Sequence, residues 1–517
     1  IGVGVLVAIG LRALFGALGA ELPDSPTIVS VRTIAVALAV GVGATFLSAI
    51  VPARKAARVP AIAALRDGAD AGPATGRHRL IAGAALITIG SIAGGTGLFL
   101  TETTTSVLAA IATGAVAIFV GVTLLSPLAV RPLTAAIGFP LSGLFGVSGR
   151  LATQNAGRNP RRTSSTAAAL MVGLALVTTT LVVGESVKAQ FRGTLESSVK
   201  ADYLVTEDVG MGFEVGVADQ LDSLAVTDDL VTFRYDQARI DGDVRWFMGT
   251  DLSGVGELFD LGISEGSLTE FTATDPLLIS DNESRATGLG LGDRVTIEFG
   301  SGMTADLTIV GVFTDDTIID EPYLIDRRTW DAVGARPMDD WIAFSLVDGV
   351  TTAQAAEAFA PLTERYPQAD IATFDEFVEQ LEGFIDQALT VVNVMVALAI
   401  IIALIGIANT LALSVFERTR ELGLLRAVGM GRRQLRRMVR FEATLVAVFG
   451  AGMGVAVGLV FGWATVTALP DTVTSTLSIP GQRIAVLVTV AALAGLLAAM
   501  GPARRAARLD ILAAIGA

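Results

Sequence analysis

The 517-residue sequence contains no cysteine and only one histidine, His78. Without cysteine the chain cannot form disulfide bonds, use a thiol nucleophile or build a zinc site of the usual Cys/His kind. The sequence also lacks the pattern Gly-x-x-x-x-Gly-Lys-Ser/Thr, whose backbone cradles the phosphates of ATP. We therefore expect no catalytic residue, no metal and no cofactor. Any ATP-driven work would need a separate motor protein.

Long apolar runs, by contrast, are abundant. Hydrophobic residues make up 52% of the chain, and its mean hydropathy is +0.62. A bilayer core about 30 Å thick requires roughly 20 helical residues, and eight runs approach that length. They lie at 1–19, 33–51, 80–100, 106–127, 166–184, 388–414, 442–467 and 484–501. The predicted fold class is a polytopic α-helical membrane protein with eight transmembrane helices.

Basic residues fall on one side of these predicted spans. Four segments that would face that side contain 22 Lys and Arg residues: 52–79, 128–165, 415–441 and the tail from 502. The short segments that would face the other side contain none: 20–31, 101–105 and 468–482. Because Lys and Arg are retained on the cytoplasmic side, we predict a bacterial cell membrane protein whose C-terminus is cytoplasmic.

The long segment between the fifth and sixth spans would lie outside the cell. Residues 185–387 contain 41 Asp and Glu against 12 Lys and Arg. Strand patterns and a Gly300-Ser301-Gly302 turn alternate with helical patterns, so residues 186–387 are predicted to form one α+β extracytoplasmic domain. The predicted strands are Asp202–Thr206, Leu230–Tyr235, Val244–Gly249, Arg294–Phe299 and Asp306–Val312, and the predicted helices are Ala353–Arg365 and Phe374–Gln387.

Two pairs of adjacent acids in this domain, Asp315-Asp316 and Asp339-Asp340, are the best candidates for acid–base chemistry. Adjacent acids are expected by chance in so acidic a segment. No histidine accompanies them. We therefore expect no catalysis here.

A repeat links the two ends of the chain. Pro-Ala-Arg-Lys-Ala-Ala-Arg at 52–58 matches Pro-Ala-Arg-Arg-Ala-Ala-Arg at 502–508 in six of seven positions. Residues 1–69 therefore repeat residues 451–517. In each copy a proline is expected to close the span and arginines to anchor it at the lipid headgroups. The predicted anchor residues are Pro52, Arg54, Arg58, Pro502, Arg504 and Arg508. We expect the chain to be the C-terminal part of a longer, duplicated protein.

Residues 416–429, after the sixth span, are predicted to form a short amphipathic helix that ends at Gly429-x-Gly431. Leu422, Leu425 and Val428 would make an apolar edge with charged residues around it, which is typical of a docking surface. An ordinary interfacial helix is the alternative, but it leaves glutamates at an anionic membrane surface unexplained. The predicted docking residues are Glu417, Arg418, Arg420, Glu421, Leu422, Gly423, Leu425, Arg426, Val428 and Gly429.

Span seven carries glycines at every fourth position, a pattern that favours close helix packing. They are Gly450, Gly454, Gly458 and Gly462.

The motif Glu417-Arg-x-x-Glu-Leu-Gly-Leu-Leu-Arg-Ala-Val-Gly429, followed by a basic helix, resembles the signature of FtsX-like permeases. These are membrane subunits of the MacB and lipoprotein-releasing class of ABC transporters. Gly288–Phe313 is similar to the extracytoplasmic core domain of that class. Arg150–Thr163 is similar to the cytoplasmic segment that leads into the second unit of its duplicated members.

This resemblance implies a domain order. Residues 1–69 would end a first permease unit, 70–147 would hold a central helix pair and linker, and 148–185 a lead-in and one span. Residues 186–387 would be the core domain, and 388–517 the second permease domain with the coupling helix at 416–429.

The resemblance also implies the partners: a cytoplasmic ABC ATPase, membrane lipids and an extracytoplasmic substrate or protein, with no nucleic acid. The chain would transmit ATP-driven motion for export or extraction of a lipid, lipoprotein, peptide or drug. A signalling role, in which the outer domain regulates a partner such as a cell-wall hydrolase, remains open. An ion-coupled transporter would need acids at mid-membrane, and only Glu442 and Arg12 are charged near span interiors.

Overall fold

A computed structural model describes residues 2–17, 30–57, 76–100, 104–207, 212–268, 275–314, 319, 321–334, 336, 338–469 and 476–508. The chain divides into two compact units. The helical unit comprises residues 1–185, 386–469 and 477–517, and the sheet domain comprises residues 186–385 and 470–476.

The described residues form sixteen helices. In chain order they are α1 Gly2–Ala17, α2 Val31–Ala57, α3 Arg77–Leu100, α4 Thr104–Phe145, α5 Val147–Arg158, α6 Pro160–Ser198, α7 Gly216–Asp222, α8 Val255–Leu258, α9 Asp281–Thr287, α10 Arg327–Ala332, α11 Thr352–Arg365, α12 Phe374–Glu417, α13 Thr419–Ala427, α14 Arg432–Val466, α15 Gly481–Ala498 and α16 Met500–Ala507.

Seven stretches of the described chain are long and apolar enough to cross a membrane. They coincide with the second to eighth predicted spans and are formed by α2, α3, α4, α6, α12, α14 and the pair α15–α16. The helix at the first predicted span, α1, has 16 described residues, fewer than a full crossing requires. The total of eight therefore stays a prediction.

Helix α4 is longer than its apolar run at 106–127 predicts. It continues to Phe145 through three interior prolines, Pro127, Pro132 and Pro140. A proline removes one backbone hydrogen bond and kinks a helix, but packing on neighbouring helices can hold the two halves together. Val130, fully buried between the first two prolines, packs in one cluster with Ala167, Val446 and Phe449.

The four glycines predicted to pack span seven all lie on α14 against α6. A Cβ atom added to Gly454 would lie 2.7 Å from the carbonyl oxygen of Met171, and one added to Gly458 would lie 2.6 Å from that of Ala175. Gly450 meets Ala167 and Gly462 meets Val182 in the same way. The hydroxyl of Thr179 donates a hydrogen bond of 3.1 Å to the carbonyl oxygen of Gly458. The stripe therefore brings two helix backbones into direct contact.

A second glycine contact, between α3 and α4, was missed in the sequence. Gly83 lies against Gly121, and Gly90 against Gly114; a Cβ on either member of the second pair would be 2.7 Å from the other's carbonyl oxygen. The signal was the matched seven-residue spacing in both helices, two helical turns on one face.

The repeated segment corrects the expected role of its prolines. In the first copy the apolar span ends at Ile50, but α2 runs on through Pro52 to Ala57, so Pro52 does not end the helix. In the second copy α15 ends at Ala498 and Pro502 lies in the first turn of α16. Proline is tolerated there because first-turn N–H groups need no partner within the helix. Arg54, Arg504 and Arg508 are exposed, whereas Arg58 lies outside the described residues.

The sheet domain contains twelve described strands. They are β1 Tyr203–Glu207, β2 Phe213–Glu214, β3 Thr227–Ile240, β4 Asp243–Thr250, β5 Ile263–Gly266, β6 Pro276–Ser280, β7 Arg294–Phe299, β8 Thr304–Phe313, β9 Tyr323–Asp326, β10 Met338–Asp339, β11 Trp341–Leu346 and β12 Ala369–Thr373. Ten of them form one sheet, and β2 pairs separately with β10.

The long strand β3 joins two parts of the large sheet. On one side the order is β12-β1-β11-β3, with antiparallel neighbours throughout. On the other side β3, β4, β9, β6, β8 and β7 pair in a closed circuit, because β7 pairs with both β8 and β3. Phe247, Ile297, Leu307 and Tyr323 are among the side chains buried in the cluster formed by that circuit.

The strand and helix predictions for this domain are confirmed. All five predicted strands lie within or overlap β1, β3, β4, β7 and β8, and Gly302 has a φ of 80° in the turn between β7 and β8. The predicted helices correspond to α11 and to the start of α12, which continues unbroken to Glu417.

Candidate functional site

The predicted docking helix is α13, which follows α12 after a single non-helical residue. Arg418 has φ −102° and ψ 19° and separates the two helices. At the other end the N–H of Met430 bonds to the carbonyl of Leu425, and the N–H of Gly429 bonds to that of Arg426. This is a Schellman motif, and Gly429 takes the left-handed position with φ 114°. The predicted helix and its glycine stop are therefore present.

Burial divides the predicted docking residues into two groups. Leu422 is only 3% exposed and Gly423 is buried, so neither reaches the surface. Leu425 and Arg426 are half-buried, whereas Glu417, Arg420, Glu421 and Gly429 are exposed. The exposed apolar residues are Leu424 at 50% and Val428 at 88%.

The apolar edge thus differs from the predicted one. Leu422 belongs to an internal cluster with Ala152 of α5, Met438 and Val439 of α14 and Ala503 of α16. Sequence spacing locates an apolar stripe on a helix but does not tell whether the chain's own helices or a partner cover it. Leu424 was not singled out, although its exposure places it beside Val428 on the open surface.

Arg418 is the centre of the polar contacts around α13. Its Nη2 donates a hydrogen bond of 2.8 Å to Asn155 Oδ1 of α5, and its Nε donates one of 3.0 Å to Glu421 Oε2. Arg158 of α5 lies 3.7 Å from Glu421 Oε1. Arg418, at the start of α13, and Arg158, on α5, therefore each make a polar contact that links the two helices.

A groove of about 570 Å³ runs between α5 and α13. Its floor is apolar and its rim carries charges of both signs. The lining residues are Leu151, Gln154, Asn155, Arg158, Arg418, Glu421, Leu424, Leu425 and Val428. The sequence drew attention to Asn155 and Arg158 as part of a lead-in segment, but nothing in the linear spacing connected them with α13, which is more than 250 residues away.

The candidate acid pairs do not form a reactive site within the described residues. Asp339 is fully buried and accepts a hydrogen bond of 2.7 Å from Arg234, which also reaches Asp331. Asp340 accepts a bond of 2.8 Å from the backbone N–H of Tyr235. Burial raises the pKa of both carboxyl groups above the usual range of aspartate. Asp315 and Asp316 lie outside the described residues.

Comparison with known proteins finds family models that match two parts of the chain. Residues 393–511 match the family model of the FtsX-like permease C-terminal domain, and residues 163–362 match that of the MacB-like periplasmic core domain. These two matches agree with the predicted resemblance to FtsX-like permeases. The first match contains all of α13 and α14, and the second contains β1 to β11.

Among the relatives of this chain, a macrolide export ATP-binding/permease protein MacB from Photorhabdus laumondii is 26% identical over 69% of this chain and 58% of its own length. An uncharacterized ABC transporter permease protein of Mycobacterium tuberculosis is 24% identical over 99% of this chain and 62% of its own length. The chain thus spans about three fifths of these two relatives. The crystal structure of the periplasmic region of MacB from Actinobacillus actinomycetemcomitans aligns with 37% of this chain and 97% of its own, at 12% identity and a TM-score of 0.29.

Proposed function

We propose that this FtsX-like permease is the membrane subunit of an ABC transporter complex. A separate cytoplasmic ATPase binds at α13, and ATP-driven motion reaches the sheet domain outside the cell membrane. The motion serves the export or extraction of a lipid, lipoprotein, peptide or drug. The chain is not itself an enzyme and takes its energy from the partner.

The exposed surface of α13 is the observation that carries this proposal. Leu424 and Val428 are open to solvent beside Arg158, Glu421 and Arg420. Apolar anchors within a charged rim are the usual composition of a protein docking site. A helix that only rested on lipid would bury its apolar residues in the bilayer and would not place Glu417 and Glu421 beside anionic headgroups.

Three further features support the proposal. The absence of a phosphate-binding loop from the sequence is consistent with a motor on another chain. Helix α12 is continuous from Phe374, directly after β12, to Glu417, directly before α13. A continuous helix transmits axial displacement better than a jointed one. The Lys and Arg distribution supports a cytoplasmic α13 and an outside sheet domain.

The test is affinity purification of the chain from its native membrane in mild detergent, followed by mass spectrometry. Leu424→Asp combined with Val428→Asp places two charges on the docking surface, and we expect the co-purifying ATPase to fall at least about tenfold, since hot-spot losses exceed roughly 1.4 kcal/mol. The matched control is Val147→Asp at the start of α5, an exposed valine outside the groove. Absence of an ATPase from the native sample, or full retention by the double variant, would refute the docking assignment.

A further inference from the structure

A buried carboxylate lies beside the junction of α12 and α13. Glu442 is on α14, and its side chain is 14% exposed. Arg418 Nη1 lies 3.8 Å from Glu442 Oε1, and the Arg418 side chain is only 22% exposed. The other nitrogens of the same guanidinium contact Asn155 of α5 and Glu421 of α13. One arginine therefore connects the root of α13 with both α5 and α14.

A second arginine ties α6 to α12 nearby. Arg162 Nη1 lies 2.8 Å from Glu417 Oε2, and its Nη2 donates a hydrogen bond of 2.9 Å to the carbonyl oxygen of Thr410. A cavity of about 40 Å³ lies within the cluster, lined by both arginines, Glu442, Asn155, Asn159 and Thr163 among others. That volume accommodates a water molecule with several polar partners.

The cluster calls for an explanation other than stability. Apolar residues of similar volume usually stabilise a buried site as well as an ion pair does, because desolvation offsets the Coulombic attraction. Glu442 also lies in a helix that is otherwise suited to a membrane, where an ionisable residue is costly. Leu422 already supplies apolar contact between α13 and α14.

The polar and charged groups add contacts through which displacement of one helix is transmitted to its neighbours. Apolar side chains can slide past one another, whereas hydrogen bonds weaken steeply when geometry changes, and unlike charges in a low-dielectric interior resist being separated. A displacement of α13 would therefore pull on α5 and α14 through Arg418, and on α6 through Glu417 and Arg162.

We propose that Arg418 and Glu442 are positioning residues that transmit movement of α13 into the helical unit. This inference rests on the proposed function, in which an ATPase moves α13. Loss of the Glu442 charge should leave ATPase binding intact and uncouple the sheet domain, because Glu442 is not among the groove residues.

The experiment uses the natural absence of cysteine. A single Val244→Cys substitution, at a position 53% exposed in the sheet domain, carries a fluorophore in the full chain purified with its ATPase. Emission is recorded before and after addition of MgATP and vanadate, and ATPase yield is measured in parallel. Glu442→Gln keeps the shape and removes the charge. Glu442→Asp keeps the charge, and Arg437→Gln removes an exposed arginine from the same helix as a control.

We expect the ATP-dependent emission change to fall at least roughly fivefold in Glu442→Gln, the lower end of typical coupling energies, with ATPase yield unchanged. Glu442→Asp should retain most of the change and Arg437→Gln all of it. Glu442→Met, which keeps a similar volume, provides a second loss-of-charge variant if Glu442→Gln accumulates poorly.

Three outcomes would overturn the inference. Full emission change in both Glu442→Gln and Glu442→Met would show that the cluster only fills space. Loss of ATPase from these variants would place the pair in the docking surface itself. A native chain that yields no ATPase, or responds to ATP with no emission change, would instead refute the proposed function, and the inference with it.

Discussion

The helical unit and the sheet domain achieve close packing by opposite means. On α14 the side chain is absent where contact is tightest, and Gly454 and Gly458 meet the carbonyl oxygens of α6. In the core of the sheet domain large side chains pack directly against one another. Phe233 stacks on Trp341 with ring centroids 3.7 Å apart, and Arg234 is buried between two aspartates.

The solvent explains the difference. In water, burial of a large aromatic surface drives folding, so large side chains in the core are favourable. In lipid the bulk solvent is as apolar as the core, and association depends on how closely two backbones approach. Enlarging or removing a side chain at a close contact should therefore affect stability differently in the two units.

The largest effect is expected in the sheet domain. Arg234→Met leaves the fully buried Asp339 without its counter-charge, and loss of one partner of a buried pair costs about 3–5 kcal/mol. The control is Arg239→Met, an exposed position on the same strand. Three of the four tryptophans lie in this domain, so thermal unfolding followed by tryptophan fluorescence reports on it. A melting temperature equal to that of the control would contradict the assigned role of the pair.

In the helical unit, Gly458→Val tests whether the lack of a side chain at this position is what permits the close contact between α6 and α14. The added Cβ would lie 2.6 Å from Ala175 O and from Thr178 Cβ, so α6 and α14 must separate, at a cost of about 1–3 kcal/mol. Gly452→Val is the matched control on the same helix, where nothing lies within 4 Å of the added atom. Helix content is followed by circular dichroism during heating in detergent. Equal destabilisation by the two changes would mean that valine acts through lipid or propensity, not through the helix contact.

Gly429 provides a third kind of glycine, needed for its conformation and not for space. No atom lies within 4 Å of an added Cβ, but its φ is 114°. Gly429→Ala should cost about 1–2 kcal/mol because L side chains disfavour that region. Gly431→Ala, at φ −72°, should be nearly neutral. Limited proteolysis at the arginines of α13 measures how readily the end of this helix unfolds in each variant. Equal cleavage of the two variants would rule out the conformational role of Gly429.

The smallest effect concerns pH. Because burial raises the pKa of Asp339 above 3.8, its usual value, the proton is bound more tightly in the folded domain than in the unfolded chain. The contribution of this carboxyl group to the unfolding free energy is therefore present at acid pH and lost as pH rises through the folded pKa. The stability of the native chain relative to Asp339→Asn should therefore decline as pH rises above about 3.8 and through the folded pKa of Asp339. A relative stability that rises with pH there would show that the Arg234 pair dominates.

The repeated segment sets a clear limit on what residue patterns alone predict. Ala53 and Ala57 in the first copy are exposed, whereas Ala503 and Ala507 in the second are buried against neighbours that include α14. The two heptapeptides are almost identical. Their burial therefore depends on the helices beside them and not on their own residues.

The candidate docking site, too, was predictable from the sequence only in part. The position of α13, its glycine stop and the charged character of its surface followed from spacing and composition. The burial of Leu422, the exposure of Leu424 and the link from Arg418 to Asn155 and Glu442 did not, since each depends on a helix distant in sequence.

The sequence by itself determined where the chain becomes helical and apolar, where its acidic domain begins and ends, and which permease signature it resembles. These properties are local, because hydropathy, turn residues and short motifs act over one or two helical turns. Tertiary structure alone decided which apolar face of α13 is covered, which glycines carry backbone contacts, and that a buried glutamate stands beside the coupling motif. Those properties depend on pairs of residues that meet only when distant helices pack.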